Sequence, residues 1–355
     1  KVVSARWSSD DACWTVTALR TDSNETVYFS CNFLMMCCGY YDYENGYAPN
    51  FSGTDRFSGQ VIHAQHWPEG LDFANKRVVV IGSGATAVTL IPELAKQAKH
   101  TVMLQRSPTY IHSHPVEDSW AVTLRKFLPN TWAFRITRWK QVAAQMFGYQ
   151  LARRFPKLAR NSLLQQARDA LGADYDIEKH FTPKYNPWDQ RVCAVPENDL
   201  FNAIREQRAE VVTDKITNFT ETGIQLESGN ALEADIIVLA TGLNMKYLGG
   251  ASVTVDGQDI DLSSHFVYRG IMLSDLPNLG QVFGYVNSSW TLKAELISKY
   301  VCRLRNHMHR TGKRIATPRA DANAMQASPF LDLSSGYVNR GMDSFPKQGD
   351  SSLWR

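Results

Sequence analysis

The sequence predicts an α/β fold with two dinucleotide-binding, Rossmann-like domains, the first incomplete at its N-terminus and the second carrying a helical insertion. Three observations lead to this prediction. A buried strand enters a glycine-rich turn at residues 76–87, one layout of strands occurs twice, and a helix-rich segment interrupts the second domain. A chain of 355 residues has room for two such domains.

The overall composition narrows the function classes. Hydrophobic residues make up 44% of the chain and its net charge is +3, which is ordinary for a globular protein and gives no indication of a nucleic-acid partner. No apolar run approaches the roughly 18 residues of a membrane span. The six cysteines form neither a C-x-x-C pair nor a disulfide framework, so we expect a cytoplasmic location. The chain begins at Lys1 and not at a methionine, which suggests that residue 1 is not the natural start.

The glycine-rich turn lies in the sequence KRVVVIGSGATA. Val78–Ile81 is a continuous apolar run, as expected for a strand buried on both faces of a parallel sheet. In the G-x-G-x-x-A motif that follows, Gly82 permits a sharp turn, Gly84 permits close approach of a pyrophosphate, and Ala87 permits close packing of helix and strand. The predicted phosphate-binding loop comprises Gly82, Ser83, Gly84, Ala85, Thr86 and Ala87.

A helix should follow the turn and continue to Lys99, with a kink at Pro92. Its N-terminus offers unpaired N–H groups to phosphate. The next predicted strand, Thr101–Leu104, leads to Arg106 and Ser107 without the acidic residue that binds a ribose 2′-hydroxyl in NAD sites. We therefore expect NADPH rather than NADH, with the arginine on the 2′-phosphate; the alternative is an ordinary surface charge.

A layout of short alternating strands leading to a buried strand and a glycine occurs twice. One copy contains Val211–Thr213, Ile216–Phe219, Ile224–Leu226 and Asp235–Gly242. The other contains Trp14–Leu19, Thr26–Cys31 and Phe33–Gly39. The copy that ends at Gly242 pairs with the Gly82 motif, whereas the copy that ends at Gly39 has no glycine motif before it. We expect the start of a first domain, with its own glycine motif, to lie upstream of residue 1; a small meander without such a partner is the alternative.

Residues 119–172 form a helix-rich, basic and aromatic segment. Its cations are Arg125, Lys126, Arg135, Arg138, Lys140, Arg153, Arg154, Lys157 and Arg160. Its interleaved aromatics are Trp120, Phe127, Trp132, Phe134, Trp139, Phe147 and Phe155. Aromatics at helical spacing are typical of a core, and a basic aromatic helix is also typical of peripheral contact with an anionic membrane surface.

Residues 57–68 read FSGQVIHAQHWP and match the pattern F-x-G-x-x-x-H-x-x-x-W through Phe57, Gly59, His63 and Trp67. This resembles the fingerprint of class B flavoprotein monooxygenases, which include flavin-containing and Baeyer–Villiger monooxygenases. The segments at 180–193, 284–296 and 335–349 look like the ethionamide-activating branch of this family. Those segments read HFTPKYNPWDQRVC, GYVNSSWTLKAEL and SGYVNRGMDSFPKQG.

The resemblance implies an FAD- and NADPH-dependent enzyme that inserts one oxygen atom from O₂ through a C4a-peroxyflavin. Its substrates would be small apolar ketones, which become esters, or organosulfur and amine compounds oxidised at sulfur or nitrogen. Arg191 would supply the fixed positive charge beside the oxygenating group; a structural ion pair is the alternative. Gln190 replaces a lysine that is frequent in the family, on the cofactor side.

The resemblance also implies a domain plan. Residues 1–56 and 243–355 would belong to the FAD-binding domain, 57–75 to a linker, and 76–242 to the NADPH-binding domain with its insertion at about 115–185. Thr241 and Gly242 lie in ATG, which looks like the family's second marker. A helix over 287–306, capped by Asn287 and Ser288, would point its positive end at the flavin; an ordinary capped helix is the alternative.

Three other readings compete with a monooxygenase. A pyridine-nucleotide disulfide reductase needs a redox C-x-x-C or C-x₄-C, and the chain has neither. A metal enzyme using His63, His66, His112 and His114 would lack a nearby acidic or cysteine ligand. A truncated NADPH-binding fragment without FAD and without activity remains open. Within the fingerprint, His63 fills a fixed position and should act through the linker, whereas His66 fills a free one.

Overall fold

A computed structural model of the chain describes residues 1–190, 192–285, 288–321, 325–331 and 335–354. The chain divides into two compact units, the first formed by Lys1–Asn45 with Leu243–Arg355 and the second by Gly46–Gly242. Of the helices in the described ranges, none combines the length and apolar character that a bilayer crossing requires.

The strands in chain order are β1 (Val2–Ser8), β2 (Cys13–Leu19), β3 (Thr26–Cys31), β4 (Leu34–Met36), β5 (Tyr41–Gly46), β6 (Gln60–His63), β7 (Arg77–Ile81), β8 (His100–Gln105), β9 (Ile111–His114), β10 (Cys193–Pro196), β11 (Ala209–Thr213), β12 (Ile216–Thr220), β13 (Gly223–Leu226), β14 (Ala231–Glu233), β15 (Ile236–Leu239), β16 (Leu243–Met245), β17 (Ser252–Val255), β18 (Gln258–Asp259), β19 (Val267–Tyr268), β20 (Met272–Leu273) and β21 (Leu279–Gln281). The helices are α1 (Ala85–Leu94), α2 (Ser119–Phe127), α3 (Asn130–Arg154), α4 (Pro156–Leu171), α5 (Ile177–Phe181), α6 (Asp199–Arg205), α7 (Trp290–Thr311) and α8 (Gly336–Gly341).

The second unit is built on a five-stranded sheet in the order β11-β8-β7-β15-β6, with every pair of neighbours parallel. Its central strand β7 is apolar from Val78 to Ile81 because both of its faces are covered. Val78 and Val80 pack into a cluster with α1 and α6, whereas Val79 and Ile81 pack against the meander β12-β13-β14. The predicted buried strand and the predicted meander strands of this unit are therefore confirmed.

Two boundaries in this unit differ from the predictions. Helix α1 ends at Leu94 and not at Lys99, because the N–H of Lys99 donates to the carbonyl of Lys76 (2.9 Å) and the chain has already turned toward β8. The segment 57–75 is not only a linker, because Gln60–His63 pair in parallel with β15 and form the edge strand β6. Between the parallel strands β9 and β10 lies the predicted helix-rich segment, as α2 to α5.

The first unit contains a five-stranded sheet, β18-β17-β1-β2-β3, and a four-stranded sheet, β19-β20-β21-β4. The antiparallel strands β2 and β3 confirm the predicted strands Trp14–Leu19 and Thr26–Cys31, and β4 pairs in parallel with β21. Helix α7 begins at Trp290 rather than at residue 287, because Ser289 has an extended backbone (ψ 133°). It continues past residue 306 to Thr311, where Gly312 stops it in the left-handed conformation (φ 66°). Asn287 itself lies outside the described residues.

Candidate cofactor-binding and active site

The first glycine of the phosphate-binding loop closes strand β7. Gly82 has φ 145°, and a side-chain carbon there would overlap the carbonyl oxygen of Ala240 at the end of β15. Its N–H donates to the carbonyl of Leu104 in β8 (2.8 Å). Because the loop touches the ends of both neighbouring strands, only glycine fits this turn.

The second glycine leaves room for a ligand. Gly84 is the N-cap of α1 with an extended backbone (φ −80°), and a side-chain carbon there would meet no atom within 4 Å. Ala85 and Thr86 are exposed in the first helical turn, which holds no acidic side chain, whereas Ala87 is fully buried beneath them. The first N–H groups of a helix have no partner within it, so this open cradle fits the pyrophosphate of a dinucleotide.

The end of strand β8 completes the cradle. Ser83 donates its hydroxyl hydrogen to the carbonyl of Ser107 (3.0 Å), which ties the glycine loop to the residues after β8. Arg106 is exposed, and within the described ranges it has no hydrogen-bond or ion-pair partner. Its guanidinium therefore fits a ligand phosphate near the adenosine ribose, the position expected of a 2′-phosphate.

The end of strand β15 is joined to the start of this unit. Thr241 donates its hydroxyl hydrogen to the carbonyl of Tyr47 (2.6 Å), and the N–H of Tyr47 donates to the carbonyl of Gly242 (3.1 Å). The hydroxyl of Thr241 is thus occupied by the protein backbone. Thr241 and Gly242 lie at the same carboxyl edge of the sheet as Gly82, where ligands of open α/β sheets bind.

The amino end of β15 is fixed by a charge pair. Asp235 accepts hydrogen bonds from the backbone N–H of Arg77 (2.7 Å) and from its guanidinium (2.8 Å). This arginine holds the pKa of Asp235 at about 2. A side-chain carbon on Gly59 would overlap the carbonyl of Asp235, so the fingerprint glycine permits close contact between β6 and β15.

The other fixed fingerprint positions are packed into the second unit. Phe57 is buried with its ring edge-on to Phe219, and Trp67 is edge-on to Phe73. These contacts anchor Phe57 and Trp67 within the second unit by packing.

His63 and His66 differ in their surroundings. The Nδ1 atom of His63 accepts the N–H of Gln65 (3.2 Å), and its buried Nε2 atom has no hydrogen-bond partner in the described part of the chain. The imidazole lies against Gly46, where any side-chain carbon would overlap the ring. His66 is exposed, with its ring centre 6.3 Å from that of His63. A buried polar nitrogen without a partner is rare in folded proteins and frequently marks a functional position.

The segment that contains the predicted active-site arginine is attached to helix α3. Arg191 lies outside the described residues, and Gln190 before it is half-buried. Asp189 accepts a hydrogen bond from the guanidinium of Arg153 (2.9 Å). Trp188, whose backbone is left-handed (φ 71°), lies edge-on to Tyr149 with ring centres 5.7 Å apart. We call these two contacts the α3 clamp.

Sequence reasoning missed the α3 clamp and the need for Gly46. The only acid in the motif PWDQR, close in sequence to a strongly basic insertion, was a usable signal for the Arg153–Asp189 pair. No sequence signal links Gly46 to His63, because the overlap exists only in the folded chain.

In the first unit, the start of α7 carries a cation. Lys293 lies 5.5 Å from the ring centre of Tyr285, and burial lowers the pKa of its ammonium group. Trp290 stacks on Tyr40, and its ring fills the space beside Gly284. Ser288 is described but is not part of the helix. The first turn of α7 holds no acidic side chain, so its positive end is not neutralised there.

The histidines do not assemble a metal site in the described part of the chain. No group of three or more His, Cys, Asp or Glu side chains there could hold a metal ion. His112 instead makes a hydrogen bond with Gln166 of α4 (3.0 Å).

Comparison with known proteins decides the family. The family described as flavin-binding monooxygenase-like matches residues 2–271. The chain belongs to this family. Over its whole length it is 50% identical to the FAD-containing monooxygenase EthA of Mycolicibacterium smegmatis and covers 72% of that protein. It is 45% identical to the probable FAD-binding monooxygenase AlmA of an Acinetobacter species, with 71% of that protein covered.

Solved structures show the same fold. A steroid monooxygenase bound to NADP superposes with a TM-score of 0.71 at 23% identity, covering 91% of this chain and 69% of the other. The OTEMO complex with FAD and NADP superposes with a TM-score of 0.67 at 20% identity, covering 96% of this chain and 69% of the other. The predicted family, the two-domain α/β fold and the cofactor pair of the family, FAD and NADP, are confirmed.

Proposed function

We propose that this protein is an FAD- and NADPH-dependent monooxygenase that transfers one oxygen atom from O₂ to a small apolar substrate. The substrate is a ketone, which becomes an ester, or an organosulfur or amine compound oxidised at its heteroatom. The observation that carries this proposal is the phosphate cradle of the second unit, combined with the complete monooxygenase fingerprint on and beside its edge strand β6. Bound NADPH supplies the electrons and bound flavin supplies the activation of O₂.

In this proposal the second unit binds NADPH and the first unit contributes to the FAD-binding domain. The N–H groups at the start of α1 bind the pyrophosphate. Arg106 and Ser107 bind the 2′-phosphate, because the arginine is exposed and unpaired among the described residues and the cradle contains no competing acid. Thr241 positions the end of β15 through its bond to Tyr47 rather than by donating to the ligand.

Oxygen transfer needs a fixed positive charge where negative charge develops on oxygen. We assign this role to Arg191. The α3 clamp holds the two residues before Gln190, Trp188 and Asp189. His63 couples cofactor binding to the edge strand, because it is the last residue of β6 and its buried Nε2 atom has no hydrogen-bond partner among the described residues.

The nucleotide preference is tested with Arg106→Ala. A charge-assisted hydrogen bond contributes about 1.5–3 kcal/mol, and this exposed side chain should contribute at the lower end, roughly a tenfold affinity difference. Isothermal titration calorimetry should show weaker NADPH binding and unchanged NADH binding. Arg56→Ala, at another exposed arginine of the same unit, is the matched control. Equal loss for both nucleotides would contradict a 2′-phosphate contact.

A second candidate is an NADPH-binding protein without oxygenase activity. It is favoured by one observation: within the described ranges, the complete strand–glycine loop–helix motif is found in the second unit alone. The two candidates separate when the protein is incubated with FAD, desalted and mixed with NADPH and a ketone or a sulfide. Retained flavin absorbance and an oxygenated product support the monooxygenase, whereas NADPH binding without retained flavin supports the second candidate.

A further inference from the structure

Helix α3 carries an apolar stripe on its solvent side. Its members are Trp132 (58% exposed), Ile136 (44%), Trp139 (71%), Met146 (67%) and Phe147 (71%). Their spacing follows the helical period, so the five side chains share one face. We call this face the α3 stripe.

The α3 stripe lies away from the side by which the helix packs. Ala133 and Ala152 are the buried residues of α3. At about 100° per residue, Ala152 lies roughly half a turn around the helix from Trp132 and Ala133 roughly a quarter of a turn, so both lie outside the stripe. An ordinary surface helix has its apolar face toward the core and its polar face toward water. Helix α3 has large apolar side chains toward water, which contradicts the expectation that these aromatics form a core.

The elements on either side of α3 also carry exposed apolar side chains. These include Trp120 and Phe127 of α2, and Phe155 and Leu158 at the start of α4. Clustered exposed aromatics of this extent mark an interaction site, because single exposed hydrophobic residues are normal but large contiguous patches are rare.

The same region is strongly basic. Residues 119–160 contain nine Lys and Arg side chains and no Asp or Glu. The other residues, with 29 cations and 35 acids, carry a net charge of −6. Lys140 lies 5.6 Å from the ring centre of Trp120, and Arg135 lies 5.6 Å from that of Trp132, so cations border the stripe. Asp118, just before the segment, is already paired with Lys140 (2.9 Å).

Charge complementarity selects the partner. In a symmetric pair of copies this face would meet itself and bring like charges together, which opposes association. A bilayer with anionic headgroups neutralises the cations and accepts the apolar side chains at the boundary between headgroups and acyl chains. The helix is too polar to cross the bilayer, and its 25 residues span about 37 Å in the plane of the membrane.

We propose that the surface formed by α2 and α3 docks on an anionic lipid bilayer, with the α3 stripe in the interface and the surrounding lysines and arginines on the headgroups. This docking goes beyond the proposed oxygenase function and does not depend on it, since neither cofactor takes part.

Sedimentation with lipid vesicles tests the proposal, using pure phosphatidylcholine and phosphatidylcholine with about 30% phosphatidylglycerol, near the anionic content that gives membranes a negative surface potential. Wild-type protein should bind the anionic vesicles and lose binding as salt rises, because salt screens the headgroup contacts. Trp139→Ala with Phe147→Ala should weaken binding roughly tenfold through lost apolar contact. Lys126→Glu with Arg135→Glu should weaken it by at least roughly fivefold per charge, and only on anionic vesicles.

Matched controls alter the same residue types elsewhere. Tyr28→Ala with Phe29→Ala removes two exposed aromatics of β3, and Arg56→Glu with Lys313→Glu reverses two exposed cations; both should bind within twofold of wild type. Circular dichroism checks that every variant is folded. The proposal would be overturned if the wild type fails to bind anionic vesicles. It would also be overturned if both the aromatic variant and the charge variant bind them as well as the wild type does. A self-associated wild type that binds no vesicles, with the aromatic variant monomeric in sedimentation velocity, would assign the surface to a second copy instead.

Discussion

Alanine at Gly82 and alanine at Gly84 should affect the protein in different ways. At Gly82 the new methyl group would overlap the backbone carbonyl of Ala240, and the backbone is in a conformation (φ 145°) that side chains rarely adopt. Strain of this kind costs about 1–3 kcal/mol, and the overlap with rigid backbone brings the expected loss of stability to roughly 2–4 kcal/mol. At Gly84 the backbone is ordinary and no atom lies within 4 Å of the added carbon. That variant should keep its stability within about 1 kcal/mol.

Binding separates the two positions further. The methyl group of Gly84→Ala would occupy the open space in which a pyrophosphate approaches the start of α1, so NADPH affinity should fall at least roughly tenfold in a fully folded protein. Urea unfolding followed by circular dichroism measures stability, and isothermal titration calorimetry measures NADPH binding. Wild-type affinity in Gly84→Ala would show that no phosphate approaches this residue. Wild-type stability in Gly82→Ala would show that the close contact between β7 and β15 is not required.

Three further predictions concern other parts of the second unit. His63→Ala should uncouple NADPH oxidation from product formation while His66→Ala stays close to wild type, as measured by the ratio of NADPH consumed to product formed; equal effects would remove the distinction between a half-buried and an exposed histidine. Arg153→Ala should lower product formation without changing NADPH affinity, because it removes one of the two contacts of the α3 clamp. The variant should stay folded, since a partly exposed ion pair contributes at most about 1 kcal/mol to stability. An unchanged product yield would argue against the α3 clamp. Asp235→Asn should remove part of the acid sensitivity of unfolding. The pKa of Asp235 is held at about 2 in the fold, so its carboxylate stabilises the fold at pH values above its unfolded-state pKa, and this stabilisation is lost as the pH falls from about 4 to 2. Identical urea midpoints across that range in variant and wild type would contradict this prediction.

Much of the second unit could be predicted because its signals are local. The apolar run of β7 and the glycines behind it determine a strand and a turn within a dozen residues, and the alternating strands β12 and β13 are separated by short turn sequences. The predicted end of α1 was wrong because the N–H of Lys99 donates to the carbonyl of Lys76, which lies just before β7 and more than twenty residues earlier in the chain. Periodicity alone does not specify such a partner.

The contacts that organise the site depend on residues far apart in the sequence. The ring of His63 lies against Gly46, and Asp189 is paired with Arg153, so neither environment follows from the motif that contains the residue. The α3 stripe shows a second limit of sequence reasoning. Trp132, Trp139 and their neighbours have the spacing of a core helix, and only the folded chain shows that they are exposed, whereas Ala152, on the opposite side of the helix, is buried.

Oxygen transfer is tested most directly by following the atom itself. The protein is supplied with FAD, NADPH and ¹⁸O₂ in ordinary water, and a small apolar ketone and a sulfide are assayed separately by mass spectrometry. A monooxygenase should yield an ester or a sulfoxide that carries a single ¹⁸O atom for each NADPH oxidised. Product with oxygen from water, or NADPH oxidation that yields only hydrogen peroxide with both substrates, would contradict the proposed function.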